Sequence, residues 1–355
     1  MTQFTPTEVQ QQVFTLSWFS NVAVTEKLSQ ASLQAQLQDL KTNIGAWNVV
    51  WGPQNTPSDG SNIVNSMFVA QAADAAQPTF VVAIAGTNPK SQFDWLTEDL
   101  DITPTGWKYG LGAGQVTTGD YTGLINLLAM TDEGQTLQEF LAGIPDKSNT
   151  SLTFTGLSLG GALAPMLTLA LMDPASSLNT TNDISIGKWG EVSLLALAGP
   201  SIGDATFVQY FNSALSAASC AFIWNAIDIV PHAWNKVTMM ELTSPTNIYN
   251  LPLVSSSCLA VQIAQKQTNA AACNYTQFEQ IPAFSGALEP YTPSSSVLWT
   301  PGSQFLAQAV YQHTNAYVIA FNCTWLQPQN VCAEPVVAVS LLAAVDSLCP
   351  PNPTP

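Results

Sequence analysis

A serine flanked by glycines lies between two apolar stretches in TFTGLSLGGALAP, residues 153–165. Residues 151–155 predict a short strand, and residues 159–172 predict a buried helix that follows it. Ser158 would then lie on the tight turn between them, in the G-x-S-x-G pattern of a nucleophile elbow. Backbone N–H groups at the start of the helix would face any negative charge that forms there. The alternative is a buried strand–turn–helix with a chance serine.

A serine hydroxyl is a weak nucleophile, so this chemistry also requires a base, an orienting carboxylate and an oxyanion hole. The chain has two histidines, His232 and His313. Asp228 follows a predicted strand at 220–227, and the order Ser158, Asp228, His313 is typical of folds built on a nucleophile elbow. We therefore predict that His313 is the base and that Asp228 orients it.

Other residues compete for two of these roles. His232 lies four residues after Asp228, so it is the alternative base, or else a rim or core histidine with a local hydrogen bond. Asp204 is the alternative carboxylate, although its place before a predicted helix favours a helix cap. Asp228 itself has the alternative of a turn or cap carboxylate.

The oxyanion hole requires two donors from different parts of the chain. The residue after the serine supplies one, which is the N–H of Leu159. The second is expected in Gly86-Thr87-Asn88, directly after the apolar strand 79–85, and Thr87 offers both an N–H and a hydroxyl. The alternative for this loop is an ordinary strand exit.

Alternating strands and helices must position these residues, and they predict an α/β fold with a mostly parallel sheet. The predicted strands are 46–51, 63–71, 79–85, 151–155, 192–198 and 220–227. The predicted helices are 7–20, 25–41, 116–130, 133–143, 159–172, 203–218 and 306–320, with Thr7 and Thr25 as candidate caps of the first two. We expect one domain over 1–355, with N-terminal helices in 1–44 and an irregular insertion at 236–305.

The composition limits the classes of partner. Hydrophobic residues make up 46% of the 355 residues, enough for a large core. The net charge is −16, and the eight basic residues are all lysines, which excludes a basic surface for nucleic acid and arginine clamps for phosphate. We expect no cofactor or metal, and no apolar run is long enough to span a bilayer.

Six cysteines all follow residue 219, and none forms C-x-x-C. An even number in one region favours disulfides, with Cys258–Cys273 and Cys323–Cys332 as the simplest local pairs. The N-terminus has no basic segment followed by an apolar run, so export would require a removed signal or another route. We expect an extracellular protein, with the cytoplasm as the alternative.

Taken together, several motifs resemble the class 3 lipases, the fungal-type lipases of the α/β-hydrolase superfamily. The segments that carry the resemblance are VVAIAGTNPKSQFDWLTEDL, TFTGLSLGGALA, LALAGPSIGDATF, WNAIDIVPHAW and HTNAY. They span residues 45–235, with a looser match at 306–320. The resemblance implies the α/β-hydrolase fold, with helices on both faces of the central sheet.

The resemblance also implies roles for individual residues. Ser158 would be the nucleophile, Asp228 the acid and His313 the base. Thr87 and Leu159 would be the oxyanion donors.

In class 3 lipases the segment after the oxyanion residue is a lid. Here that segment is 89–100, where Phe93, Trp95 and Leu96 alternate with acidic residues. An amphipathic lid would cover an apolar cleft in water and turn its apolar side to lipid. The alternative is a plain surface helix.

The resemblance implies a serine hydrolase that acts on lipid esters at a lipid–water interface. One alternative is an esterase for phospholipids, feruloyl esters or polyesters. Another is a hydrolase-like protein that binds lipid or a protein partner without turnover.

Overall fold

The computed structural model describes most of the chain. The described residues are 4–56, 65–73, 76–86, 101–111, 114–179, 183–235, 248–250, 273–279, 281–290 and 301–327. The strands are β1 (Trp47–Thr56), β2 (Asn65–Ala72), β3 (Thr79–Ile84), β4 (Pro104–Gly106), β5 (Gln115–Thr117), β6 (Thr131–Asp132), β7 (Gln135–Thr136), β8 (Ser151–Leu157), β9 (Glu191–Leu197), β10 (Gly203–Asp204), β11 (Ser219–Ile223) and β12 (Tyr275–Thr276). The α-helices are α1 (Glu8–Thr25), α2 (Gln30–Asp39), α3 (Lys41–Ile44), α4 (Thr118–Ala129), α5 (Leu137–Gly143), α6 (Leu159–Met172), α7 (Ala205–Ala214), α8 (Ile229–His232), α9 (Pro301–His313) and α10 (Asn315–Ala320).

A six-stranded central sheet has the order β1-β2-β3-β8-β9-β11. Strands β3, β8, β9 and β11 are parallel, whereas β1 and β2 are antiparallel to their neighbours. The carboxyl ends of the parallel strands therefore meet at one edge, where α/β sheets bind their ligands. The prediction of a mostly parallel α/β sheet is confirmed.

Each face of the sheet is covered, because successive side chains of a strand point to opposite sides. Val82 and Ile84 of β3 join Leu167 of α6 in one apolar cluster. Val81 and Ala83 of the same strand join α1 in a second cluster on the other face. Two hydrophobic layers therefore hold β3 and β8 rigidly at the centre of the fold.

The start of α1 is as predicted, and the start of α2 is not. Thr7 caps α1, and its side chain accepts the N–H of Gln10. Thr25 was expected to cap the second helix, but it is the last residue of α1, where its hydroxyl donates to Asn21 O. Ser29 caps α2 instead.

Two of the predicted helices differ from the structure by more than a shift of their ends. The helix predicted at 133–143 begins at Leu137, because β6 and β7 form a hairpin ahead of it. The helix predicted at 306–320 is two helices, α9 and α10. Thr314 interrupts them with φ −127° and ψ −76°, and its hydroxyl donates to Val310 O.

The expected insertion at 236–305 contains regular structure among its described residues. Strand β12 lies within it and pairs with β10, and α9 begins at Pro301 before the insertion ends. The lid segment lies outside the described residues.

The disulfide expectation is not met where the structure describes the cysteines. Cys220 and Cys323 are thiols, so the expected pair Cys323–Cys332 is not formed, while Cys258 of the other expected pair lies outside the described residues. Cys323 is buried against α1, where its Sγ lies 3.8 Å from Gln11 O. None of the helices in the described ranges is long and apolar enough to cross a membrane.

Candidate active site

Ser158 lies on the turn between β8 and α6, as the sequence predicts. Its backbone has φ 64° and ψ −124°, a positive φ that is uncommon for a residue with a side chain. Two hydrogen bonds hold this conformation: Ser158 N–H donates to Leu197 O at 3.0 Å, and Ala162 N–H donates to Ser158 O at 3.1 Å. Strained backbone of this kind is a feature of functional turns.

The glycines of G-x-S-x-G allow backbone to approach backbone at this turn. A Cβ on Gly156 would clash with the backbone of Gly160, and a Cβ on Gly160 would clash with Ile84 O of the neighbouring strand. A Cβ on Gly161 would clash with Leu197 O on the other side. The helix therefore starts directly over two strands, and its first N–H groups, including that of Leu159, lie beside the serine.

Asp228 and His313 form a buried pair, although 85 positions separate them. The His313 Nδ1 to Asp228 Oδ2 distance is 2.8 Å, and the two residues are 5% and 0% exposed. Asp228 ends the loop after β11, while His313 is the last residue of α9. The fold thus brings together the two residues predicted as acid and base.

Two further donors fix the Asp228 carboxylate. Val230 N–H donates to Oδ1 at 3.0 Å, and Tyr317 Oη donates to Oδ2 at 2.9 Å. Tyr317 Oη also accepts the N–H of Asn225 at 3.0 Å. Burial and the neighbouring Asp228 charge hold the pKa of Tyr317 well above its usual value, so its hydroxyl stays protonated.

Sequence reasoning assigned no role to Tyr317. The available signal was its place in HTNAY, four residues after His313. The end of α9 therefore supplies the predicted base, and the first turn of α10 supplies a donor to its carboxylate partner.

The second ring nitrogen of His313 is available for chemistry. Within the part of the chain that the structure describes, Nε2 is buried and has no hydrogen-bond partner. No hydrogen bond joins it to Ser158 in this structure, and catalytic hydrogen bonds often tighten only when substrate binds. With Nδ1 directed at Asp228, Nε2 is the nitrogen that can accept a proton.

The competing residues have local roles. His232 Nε2 lies 2.9 Å from Ala226 O, and its ring packs edge-on against Trp224. Asp204 Oδ1 accepts the N–H of Phe207 at 2.8 Å and caps α7. These are the hydrogen-bonded histidine and the helix cap that the alternative interpretations expected.

The structure does not describe every predicted site residue. Thr87 and the lid residues Phe93, Trp95 and Leu96 lie outside the described ranges. Gly86 is described, and it lies beside the elbow: a Cβ built on it would be 3.1 Å from Ser158 Cβ. Among the described side chains, no cluster of three or more His, Cys, Asp or Glu residues is arranged to hold a metal ion.

Comparison with known proteins finds the same family in the middle part of the chain. Residues 81–238 match the family model for Lipase (class 3). The crystal structure of M37 lipase superposes with a TM-score of 0.74 at 25% identity, covering 94% of this chain and 98% of that one.

Two fungal enzymes match over less of the chain. The lipase from Rhizopus microsporus var. chinensis has a TM-score of 0.42 at 20% identity, over 62% of this chain and 68% of its own. Lipase II from Rhizopus niveus has a TM-score of 0.42 at 21% identity, over 64% and 76%. No curated protein sequence gave a significant match. Residues 81–238 are therefore similar to the class 3 lipases, and the likeness to M37 lipase shows that the chain has the α/β-hydrolase fold.

Proposed function

We propose that this protein hydrolyses carboxylic esters of lipids through Ser158, His313 and Asp228, by way of an acyl-enzyme. The observation that carries the proposal is the buried 2.8 Å pair of His313 and Asp228, in a chain that also holds a serine on a strained elbow. The match of residues 81–238 to the class 3 lipase family model supports the substrate class.

The first half of the reaction acylates the serine. His313 Nε2 takes the hydroxyl proton of Ser158 as the oxygen attacks the ester carbonyl, and the carbonyl oxygen becomes an oxyanion. The N–H of Leu159 stabilises that charge, and Thr87 is the proposed second donor. The imidazolium then gives its proton to the leaving alcohol when the ester C–O bond breaks.

The second half returns the enzyme to its first state. His313 removes a proton from water, the hydroxide attacks the acyl carbonyl, and Ser158 leaves with the proton from His313. Asp228 keeps Nδ1 protonated throughout, so Nε2 is the basic nitrogen when each step begins. The donors from Val230 and Tyr317 keep the carboxylate in that orientation.

The catalytic residues alone do not distinguish lipid esters from other esters. The preferred length of the acyl chain must therefore be measured. We propose that segment 89–100, with Phe93, Trp95 and Leu96, contacts the lipid surface as a lid. Hydrolysis of p-nitrophenyl esters from C2 to C16, alongside emulsified triglyceride, tests the substrate class. Long-chain and emulsion activity supports a lipase; activity on the C2 and C4 esters alone contradicts it.

Ser158→Ala tests the mechanism, because alanine removes only the hydroxyl at the elbow. We expect kcat to fall at least about 1,000-fold, and labelling by a serine-directed fluorophosphonate to be lost. Ser213→Ala, an exposed serine on α7, is the matched control and should retain both. Near-wild-type hydrolysis by Ser158→Ala would overturn the nucleophile. A folded wild-type protein that neither turns over esters nor takes the label would favour binding without turnover.

A further inference from the structure

Helix α1 lies outside the residues that match the family model, yet it packs against β3 and β8 below the elbow. Its buried face is mostly apolar, but Ser17 and Ser20 are buried there, next to Asn21. Ser20 donates within the helix, to Ser17 O at 2.7 Å. Of Ser17, Ser20 and Asn21, it is Asn21 whose side chain forms a hydrogen bond with a residue outside the helix.

The Asn21 side chain reaches the backbone that leaves β3. Its Oδ1 accepts the N–H of Gly86 at 2.6 Å, and its Nδ2 lies 3.4 Å from Ser17 O one turn earlier. The ladder of the central sheet ends one residue before this, where Ala85 N–H donates to Ser66 O. At the residue where hydrogen bonding to the neighbouring strand stops, the Asn21 side chain therefore accepts the Gly86 N–H instead.

Gly86 separates Asn21 from the nucleophile. A Cβ built on Gly86 would lie 3.1 Å from Asn21 Oδ1 and 3.1 Å from Ser158 Cβ, so the last two atoms are no more than about 6 Å apart. The same Cβ would be 2.6 Å from Leu157 O, which leaves no space for a side chain. The Gly86 peptide is therefore held between the elbow on one side and an amide oxygen on the other.

We propose that Asn21 is a positioning residue for the reaction: it fixes the Gly86 peptide, and with it the backbone that leads into the second oxyanion donor, against Ser158. This inference rests on the proposed function, in which Thr87 directly follows Gly86 as that donor. Asn21 acts through the backbone and does not contact the reacting atoms.

The expected effect lies in the transition state and not in substrate binding. Oxyanion donors act only when they lie close to the position of the developing charge, so a small displacement of the peptide weakens them steeply. The ground-state ester carries little charge on that oxygen, and its binding depends on the apolar acyl chain. Loss of the Asn21 oxygen should therefore lower kcat and leave KM nearly unchanged.

The test compares Asn21→Ala and Asn21→Leu with the wild-type protein on soluble p-nitrophenyl butyrate. We expect both variants to lose about 10- to 100-fold in kcat, with KM within about threefold of wild type. The rate of inactivation by a p-nitrophenyl phosphonate should fall in parallel, because the phosphonyl oxygen occupies the oxyanion position. Leucine retains the side-chain volume and favours helix, so it provides a folded variant without the acceptor oxygen if alanine unfolds the protein.

Gln11→Ala is the matched control on the same helix. Gln11 Nε2 donates to Phe321 O at 2.9 Å, so this change also removes a tertiary hydrogen bond of α1, but at its other end. If Gln11→Ala lowers kcat as much as the Asn21 variants do, or if the Asn21 variants keep wild-type kcat and inactivation rates, the positioning role is overturned. Active Ser158→Ala would instead overturn the proposed function, so the two failures are distinguishable.

Discussion

His313 and His232 differ in their surroundings, and this difference predicts different losses when each is replaced. His313→Ala removes the proposed base, so kcat should fall about as far as in Ser158→Ala. The double variant should be hardly slower than either single one, because the two residues act as a unit.

His232→Ala is the control for this prediction. It removes a ring that contacts Ala226 O and Trp224, and a modest loss of stability with kcat near wild type is expected. Steady-state kinetics on p-nitrophenyl butyrate measures both variants. If the two histidines exchange these outcomes, His232 is the base.

Tyr317→Phe removes one hydroxyl and leaves two buried groups short of a partner. Asp228 Oδ2 loses a donor, and Asn225 N–H loses its acceptor. We expect the free energy of unfolding to fall by about 1–3 kcal/mol, since an unsatisfied buried polar group costs that much. The catalytic loss should be smaller than in His313→Ala, because the pair of Asp228 and His313 persists.

Urea unfolding and kcat, measured on the same preparation, test the Tyr317 prediction. Unchanged stability would show that Tyr317 does not support the carboxylate.

At the scale of elements, the close contact of α6 with β3 requires a glycine at position 160. Gly160→Ala would place a methyl group against Ile84 O, a backbone atom that cannot rotate away. We expect a loss of about 1–3 kcal/mol in the free energy of unfolding, as for other overpacked sites. Activity should fall as well, since the shift moves the start of the helix that carries Leu159.

Gly143→Ala is the matched control for the α6 prediction. Gly143 ends α5, and a Cβ there would meet no atom within 4 Å. Its melting temperature should equal or exceed that of the wild type, because alanine favours helix. Equal melting temperatures for the two alanine variants would contradict the close contact between α6 and β3.

Sequence pattern predicted the parallel strands and the positions of Ser158, Asp228 and His313, because apolar runs and short motifs are local signals. It did not predict the break at Thr314, where the backbone leaves helical geometry with φ −127° and ψ −76°. The contact of Asn21 with Gly86 joins residues 65 positions apart and exists only when α1 packs under the sheet. Contacts of this kind follow from tertiary packing, which periodicity does not encode.

At the scale of the whole molecule, we expect one buried carboxyl group to make the free energy of unfolding depend on pH. Asp120 is fully buried at the start of α4, where Thr117 Oγ1 donates to its Oδ2. Its Oδ1 has no hydrogen-bond partner among the residues that the structure describes. Burial raises the pKa of Asp120 to about 6, and the hydrogen bond from Thr117 offsets part of that rise.

The direction of the pH dependence follows from proton binding. The folded chain binds the Asp120 proton more tightly than the unfolded chain does, so raising the pH from about 4 to about 6 lowers the free energy of unfolding. The contribution of this group is on the order of 3 kcal/mol. Asp120→Asn should remove this slope and be most stable relative to wild type above pH 6.

Urea unfolding between about pH 4 and pH 8 measures the Asp120 contribution. Asp39→Asn removes the same charge from an exposed site and should keep the wild-type slope. An Asp120→Asn variant whose stability follows the wild type across this range would contradict the prediction.

We propose that the whole chain forms one hydrolase domain, because α1 is held to the segment that follows α10. Gln11 donates to Phe321 O at 2.9 Å, Trp325 Nε1 donates to Thr15 Oγ1 at 3.1 Å, and the Phe14 and Phe321 rings stack with centroids 4.4 Å apart. Each of these contacts spans about 300 positions of sequence.

Their sequence separation has a consequence for synthesis. The ribosome releases α1 long before residue 321, so Phe14 has no Phe321 to cover it while the rest of the chain is being made. His313 and the residues that pack against α1, Phe321 and Trp325, are synthesised almost together, near the end of translation. The nascent chain therefore lacks its proposed base until the segment that packs over α1 has been made. Under the proposed function, a ribosome that stalls before residue 313 holds a chain that cannot hydrolyse lipid esters.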